Sequence, residues 1–167
     1  RLLKFWEKEL MQQLIHHLMV YSGVIVTIWI TLGVYLVAKL YPGYNHNDQF
    51  CSELGAKGSP TQRLSPKINN YPLGLLFCLA GWHLIKFDDI SFSMDIAGSL
   101  IIVHGLGTWV AGYFPMDRDP YSKEPSFENQ VHSWAGLIML MSLLAAPFFV
   151  AFSSKLLVFS LEFRVYS

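Results

Sequence analysis

The sequence predicts an all-α, polytopic transmembrane helical bundle. Three observations lead to this prediction: 53% of the 167 residues are hydrophobic, the mean hydropathy is +0.36, and only 14% of the residues are charged. Soluble domains carry about 25% charged residues, so this chain has too little charge to cover a water-exposed surface. Backbone groups in lipid must bond within their own segment, so we expect the long apolar runs to be helices.

The first element begins at the first residue. Residues 1–13 place apolar side chains at helical spacing between charged ones, with Trp6 among them. This pattern predicts an interfacial amphipathic helix with the tryptophan at headgroup level. A simple extension of the first span is the alternative. The next run, residues 18–40, has no charge before Lys39 and is long enough to cross a hydrocarbon core of about 30 Å.

Three further apolar runs predict three more spans. They cover residues 72–86, 92–114 and 133–152, and residues 156–167 begin a partial fifth helix. The partial helix is too short to cross, so we expect the chain to continue beyond it. The third span carries four glycines, whose spacing allows close helix approach in lipid: Gly98, Gly105, Gly107 and Gly112.

Two polar loops, residues 41–71 and 115–131, connect these spans. Two spans separate them, so both are expected on the same membrane face. The basic residues divide evenly between the faces, but a long loop counts less in the positive-inside rule. We therefore expect a cytoplasmic N-terminus and both loops outside. The formal net charge of zero gives no support for nucleic-acid binding, and no nucleic-acid partner is expected.

Three polar residues of these loops form the candidate catalytic site: Glu53, Asp117 and His132. Two carboxylates and an imidazole on one face are suited to holding a divalent cation. Alternatively, a carboxylate acts as base and the imidazole as acid. The structural alternative is that these side chains cap helix ends and close turns.

Other polar residues lie within the apolar runs. His104 lies near the middle of the third span, where an imidazole is costly unless it is hydrogen-bonded, so it is a functional candidate. The alternative is a neutral histidine that makes a structural hydrogen bond to a neighbouring helix. His17 and His83 are expected at the same depth in the membrane on different helices, and two such histidines can ligate a haem. No other motif in the sequence supports haem binding. The sequence therefore assigns neither cofactor nor metal. The two cysteines, Cys51 and Cys78, are too few for a disulfide framework.

Several motifs carry a family resemblance. The stretch from Ser52 to Ala56 reads Ser-Glu-Leu-Gly-Ala, a proline follows, and residues 105–117 read Gly-x6-Gly-x-Phe-Pro-x-Asp. His132 and Gly136 complete the pattern. Over roughly residues 15–167 the chain resembles the domain of unknown function 998 family of prokaryotic multi-pass membrane proteins. It departs from that pattern at Cys51, where an aliphatic residue is usual, and in the acidic insertion 119–128.

The resemblance implies six helices and a location in the prokaryotic inner membrane. A more distant similarity to eukaryotic six-helix proteins of lipid remodelling directs the functional hypothesis to membrane lipids as partners. The leading hypothesis is an integral membrane protein that binds or processes a lipid headgroup at an outer-face polar site. One alternative is an accessory subunit with membrane-protein partners, and another is a small transporter. The sequence leaves open whether the protein is an enzyme.

Overall fold

The computed structural model describes residues 2–87 and 92–153, and every regular element in these ranges is helical. Five α-helices and one short 3₁₀ helix, Cys51–Gly55, follow one another: α1 Leu2–Lys39, α2 Leu64–Ile68, α3 Asn70–Phe87, α4 Phe92–Tyr113 and α5 Phe127–Ala151. The predicted all-α bundle is confirmed.

Helix α1 is a single continuous element of 38 residues. At about 1.5 Å per residue it is about 57 Å long, nearly twice the hydrocarbon core of a bilayer. The N-terminal residues thus continue directly into the first span without a break in the helix. Their predicted position at the membrane interface stays a prediction. The helix ends at Lys39 because Pro42 cannot continue it, and Gly43 turns the chain with a positive φ of 77°.

Three helices of the described residues are long and apolar enough to cross a membrane: Glu9–Lys39 within α1, Phe92–Tyr113 and Phe127–Ala151. The sequence predicted four spans in this part of the chain. The difference is the predicted span 72–86, which lies in α3. Its 18 residues include Asn70, His83 and Lys86, which lower its apolar character. The partial helix 156–167 lies outside the described residues.

Helix α5 begins six residues before the predicted span at Ser133. Ser126 is its N-cap, and the Ser126 side chain accepts a hydrogen bond from the backbone N–H of Asn129 at 3.2 Å. The first turn is polar and includes Glu128, so hydropathy assigned these residues to the loop. The N-cap serine and the acidic first turn are the signals that could have placed the true start.

The long helices pack in a row, α1 on α3, α3 on α4 and α4 on α5. The α3–α4 contact is close because glycines face each other across it. A Cβ added to Gly105 would lie 2.7 Å from the carbonyl oxygen of Gly74. Helix α5 approaches α4 at Gly107, where an added Cβ would lie 2.6 Å from Met139 Cγ. The expectation that the glycines of the third span allow close helix approach is confirmed at these positions.

The first polar loop is folded across one end of this row. Leu54 of the 3₁₀ helix is fully buried and packs with Val37 and Ala38 of α1. The Leu54 carbonyl accepts hydrogen bonds from Ser59 Oγ at 3.0 Å and Thr61 Oγ1 at 2.6 Å. This loop core holds the 3₁₀ helix and α2 against the membrane helices.

Candidate functional site

A cavity of about 470 Å³ lies between the membrane helices, beneath the folded loop. The 3₁₀ helix and all five α-helices contribute to its wall, from Ile30 of α1 to Leu143 of α5. Helices α1 and α5 both line it although they pack on opposite ends of the helix row. The cavity therefore occupies the space that the α1–α3–α4–α5 arrangement leaves open.

The wall of this cavity changes character along its length. Its loop end is polar, and its other end, towards the middle of the helices, is apolar. The polar end includes Ser52, Ser65, Asn69, Asn70 and His132, with Val34 beside them. The apolar end includes Ile30, Phe77, Met139 and Leu143, and the His104 ring lies among them. No aspartate, glutamate, lysine or arginine lines the cavity within the part of the chain that the structure describes.

His132 of α5 lies at the polar end. Its Nδ1 is 2.9 Å from the carbonyl oxygens of both Ala111 and Phe114, at the C-terminus of α4. A carbonyl oxygen can only accept, so Nδ1 carries the proton and donates to both. In the neutral ring the lone pair is then on Nε2. The same bond satisfies helix-end carbonyls that have no partner within α4.

His104 of α4 is arranged in the same way deeper in the cavity. It is 8% exposed, and its Nδ1 donates to the carbonyl oxygen of Met139 at 2.9 Å. The ring of Phe77 meets it edge-on, with 4.3 Å between the centroids. His104 is therefore hydrogen-bonded, as the structural alternative expected, and it also lines the cavity.

Asn69 is a cavity residue with an unusual environment. It is 7% exposed, and its side-chain Oδ1 accepts no hydrogen bond from any residue that the structure describes. This oxygen packs against Gly33 of α1. A buried polar atom without a partner is destabilising, so this oxygen is a local cost to stability at the contact between Asn69 and α1.

Glu53 lies in the folded loop, outside the cavity wall. Its Oε1 accepts the backbone N–H of Phe50 at 2.8 Å, and its Oε2 accepts Gln49 Nε2 at 2.9 Å. The first bond closes the start of the 3₁₀ helix. Tyr44 is close by: burial, then Cys51 and Glu53, raises the pKa of the Tyr44 hydroxyl to about 12.

Asp117 joins the second loop to the start of α5. Its Oδ1 accepts the Ser126 hydroxyl and its Oδ2 accepts the Ser126 backbone N–H, both at 2.7 Å. Lys57 of the first loop lies 3.6 Å from Asp117 Oδ1 and 3.0 Å from Glu128 Oε2. The backbone N–H of Lys57 also donates to the Met116 carbonyl at 2.9 Å. We call this cluster of Lys57, Asp117, Ser126 and Glu128 the loop clasp.

The charges of the loop clasp shift the pKa values of their own groups. The two hydrogen bonds from Ser126, aided by Lys57, lower the pKa of the Asp117 carboxyl below its ordinary value. The hydrogen bond to Glu128, with the nearby Asp117, raises the pKa of the Lys57 ammonium. Both shifts favour the ionised pair, so the clasp is charged at neutral pH.

The clasp shows that the two polar loops meet at one end of the bundle, as the sequence predicted. The three candidate catalytic residues nevertheless have separate surroundings. Glu53 bonds within the first loop, Asp117 bonds within the clasp, and only His132 lines the cavity. All three make helix-end contacts of the kind that the structural alternative describes. A joint catalytic role for them stays a prediction.

A second group of histidines lies on α1 and α3. The ring centroid of His16 is 6.0 Å from that of His17 and 6.3 Å from that of His83. Residues 2–87 and 92–153 contain no group of three or more histidine, cysteine or acidic side chains that could hold a metal ion.

Sequence reasoning missed Asn69 and Asn70 as site residues. Both precede the apolar run of α3 and looked like ordinary loop residues. Asn70 Nδ2 donates to the Thr108 carbonyl at 3.2 Å, which joins the start of α3 to α4. An available signal was the pair of amide side chains immediately before a membrane helix, since polar groups at such depth need partners.

Comparisons with known proteins complete this description. Comparison with curated proteins and with solved structures found no match. The family model described as "Protein of unknown function (DUF998)" matches residues 24–161. This range includes the C-terminal part of α1, the folded loop, the cavity residues of α3 to α5 and the loop clasp. It covers well over half of the chain, so the protein is a member of the DUF998 family of proteins of unknown function.

Proposed function

We propose that this integral membrane protein binds a lipid, with the headgroup at the polar end of the cavity and an acyl chain at its apolar end. The observation that carries the proposal is the change in the cavity wall from polar to apolar between the folded loop and the middle of the helices. An amphipathic ligand places each of its parts against matching chemistry there, whereas a purely polar solute would leave the apolar end unfilled.

The arrangement of the helices supports this proposal. Helices α1 and α5 line the cavity from opposite ends of the helix row. Both expose large apolar side chains to the bilayer, such as Leu36 and Leu144. A lipid is the ligand most available to a cavity that is bounded by such helices. The charge pattern of the sequence assigns the polar end to the outer face.

Two glycines allow a matched test. An added Cβ at Gly136 of α5, or at Gly23 of α1, would meet nothing within 4 Å. Gly136 lines the cavity and Gly23 does not. Phenylalanine at position 136 should fill the cavity without a backbone clash, and phenylalanine at position 23 should extend into open space.

The measurement is the amount of lipid retained per chain after purification in mild detergent, determined by mass spectrometry. The wild type and Gly23→Phe should retain lipid at a fixed stoichiometry, and Gly136→Phe should lose it. Equal retention by both variants would overturn the proposal, and so would a wild type that carries no lipid.

The identity of the occupant needs a second measurement. A photo-crosslinking amino acid at position 143, on the apolar part of the wall, should form adducts of lipid mass. Cross-links confined to residues 154–167 would show that the chain fills the cavity itself, against the proposal. A stoichiometric protein partner cross-linked there would instead favour the accessory-subunit alternative.

A further inference from the structure

We infer that the lipid held in the cavity has an uncharged headgroup that donates hydrogen bonds through several hydroxyl groups, as in a glycosyl acylglycerol. This inference rests on the proposed function and specifies its ligand.

The absence of charge from the described cavity wall argues against an ionic headgroup. A phosphate in a buried site needs arginine, lysine or a cation to replace the water that it loses. A quaternary ammonium needs a carboxylate or a cage of aromatic rings, and Phe77 is the single aromatic side chain of the wall apart from the histidines. At this end of the molecule Lys57 instead pairs with Asp117 and Glu128 in the loop clasp.

The two histidines offer hydrogen-bond acceptors rather than donors. The Nδ1–H groups of His104 and His132 are both engaged by backbone carbonyls, at 2.9 Å in each case. Each neutral ring then presents the lone pair of Nε2, and no described residue donates to it. These bonds also fix the ring orientation, so the acceptors are positioned before a ligand arrives.

The Oδ1 of Asn69 is not a third acceptor for a ligand, because it is buried and faces Gly33 of α1. The two Nε2 acceptors of one cavity call for a ligand that brings more than one donor of its own. Hydroxyl groups meet this need without bringing a charge.

The depth of the acceptors indicates an extended headgroup. His132 bonds the carbonyls of Ala111 and Phe114, which follow His104 along α4 by seven and ten residues. At the helical rise, the two rings are separated along the axis by about 10 Å or somewhat more. A single hydroxyl cannot reach both, whereas a sugar joined to a glycerol backbone spans such a distance.

The test offers the delipidated full chain a mixture of lipids with identical oleoyl chains. Dioleoylglycerol and its galactosyl derivative are uncharged, while the phosphatidylglycerol and phosphatidylcholine analogues are ionic. The galactosyl lipid should be retained at least about tenfold over the ionic ones, because a charge would lose its hydration without a counter-charge. Dioleoylglycerol should be retained less than the galactosyl lipid, because its single hydroxyl cannot reach both acceptors. Preferential retention of either phospholipid would overturn the inference.

Two further probes separate hydroxyl donation from other causes. The galactosyl lipid with its hydroxyls methylated keeps the size of the headgroup but cannot donate, so it should bind at least about tenfold less. Galactosylglycerol, which has the headgroup without acyl chains, should not compete at equal concentration. Full competition by galactosylglycerol would show a soluble ligand and overturn the lipid assignment.

His104→Phe tests the acceptor directly, because phenylalanine keeps a ring of similar size and removes Nε2. It should weaken retention of the hydroxylated lipid about tenfold. Asn69→Leu is the control, because the oxygen that it removes faces Gly33 rather than the cavity, and it should retain the lipid like the wild type. Unchanged retention by His104→Phe would contradict a role for His104 as an acceptor.

The outcomes distinguish this inference from the proposed function. If the wild type retains a phospholipid that Gly136→Phe loses, the lipid site stands and the hydroxyl assignment fails. If no lipid of any class is retained, the proposed function itself fails.

Discussion

Gly81 of α3 and Gly98 of α4 face each other so closely that neither position can accept a side chain. A Cβ on Gly98 would lie 2.5 Å from the Gly81 carbonyl oxygen, and a Cβ on Gly81 would meet the Gly98 carbonyl in the same way. Gly74 and Gly105 form an equivalent pair seven residues away on each helix. The two pairs show that α3 and α4 run antiparallel with their backbones in contact over about two turns. This contact positions Phe77 and His104, which lie between the pairs, at the cavity wall.

The first prediction concerns this contact. Gly98→Ala should lower the free energy of unfolding by about 1–3 kcal/mol, because the new methyl group meets rigid backbone and the helices must separate. The measurement is unfolding by a denaturing detergent. Gly23→Ala is the control, since an added Cβ there meets nothing within 4 Å, and it should be neutral or slightly stabilising. Equal behaviour of the two variants would contradict the close approach.

The second prediction concerns the start of α5. Ser126→Ala should cost about 1 kcal/mol of stability, because the helix loses its N-cap and Asp117 loses a hydrogen-bond donor. Ser133→Ala is the control: its exposed hydroxyl bonds the Asn129 carbonyl within the same helix, so its loss should be nearly neutral. Thermal unfolding in detergent compares the two variants. A larger effect at position 133 would show that the N-cap is not the important contact.

The third prediction concerns pH. The folded state lowers the pKa of Asp117, so its stabilising effect is fully present above the ordinary carboxyl pKa and is lost as the pH falls through the folded value. The wild type should therefore exceed Asp117→Asn in thermal stability at pH 6, and the difference should shrink below about pH 4.

The matched variant for this pH series is Asp119→Asn, in the same loop. The Asp119 carboxylate is exposed and accepts the backbone N–H of Tyr121 at 2.9 Å, outside the loop clasp. Its removal should leave the pH profile close to that of the wild type. A wild-type advantage over Asp117→Asn that stays constant down to pH 2 would contradict the lowered pKa.

The fourth prediction concerns the folded loop. Leu54→Ala should destabilise the protein by about 2–5 kcal/mol, because Leu54 is fully buried against α1 and its removal leaves a void. Leu64→Ala, at an exposed position of α2, should cost much less. Unfolding curves and limited proteolysis of the loop test this difference. Comparable losses in both variants would mean that the loop core contributes little to stability.

The sequence by itself determined the all-α membrane class, the family and the shared end of the two polar loops. These conclusions depend on the long-range composition of the chain, on local motifs and on the even number of apolar runs between the loops, and none of them requires knowledge of side-chain contacts. The glycines of the third span predicted close helix packing for a similar reason, since a residue without a Cβ allows a neighbouring helix to approach closely.

Only the tertiary structure decided what each polar side chain does. Glu53, Asp117 and His132 are all polar residues near helix ends, and the sequence treated them alike. Hydrogen bonds to Phe50, Ser126 and Ala111 gave them different surroundings and left only His132 at the cavity. The cavity likewise forms only when the helices pack together, because its wall includes residues as distant in sequence as Ile30 and Leu143. No local sequence pattern indicates that these two residues line the same cavity.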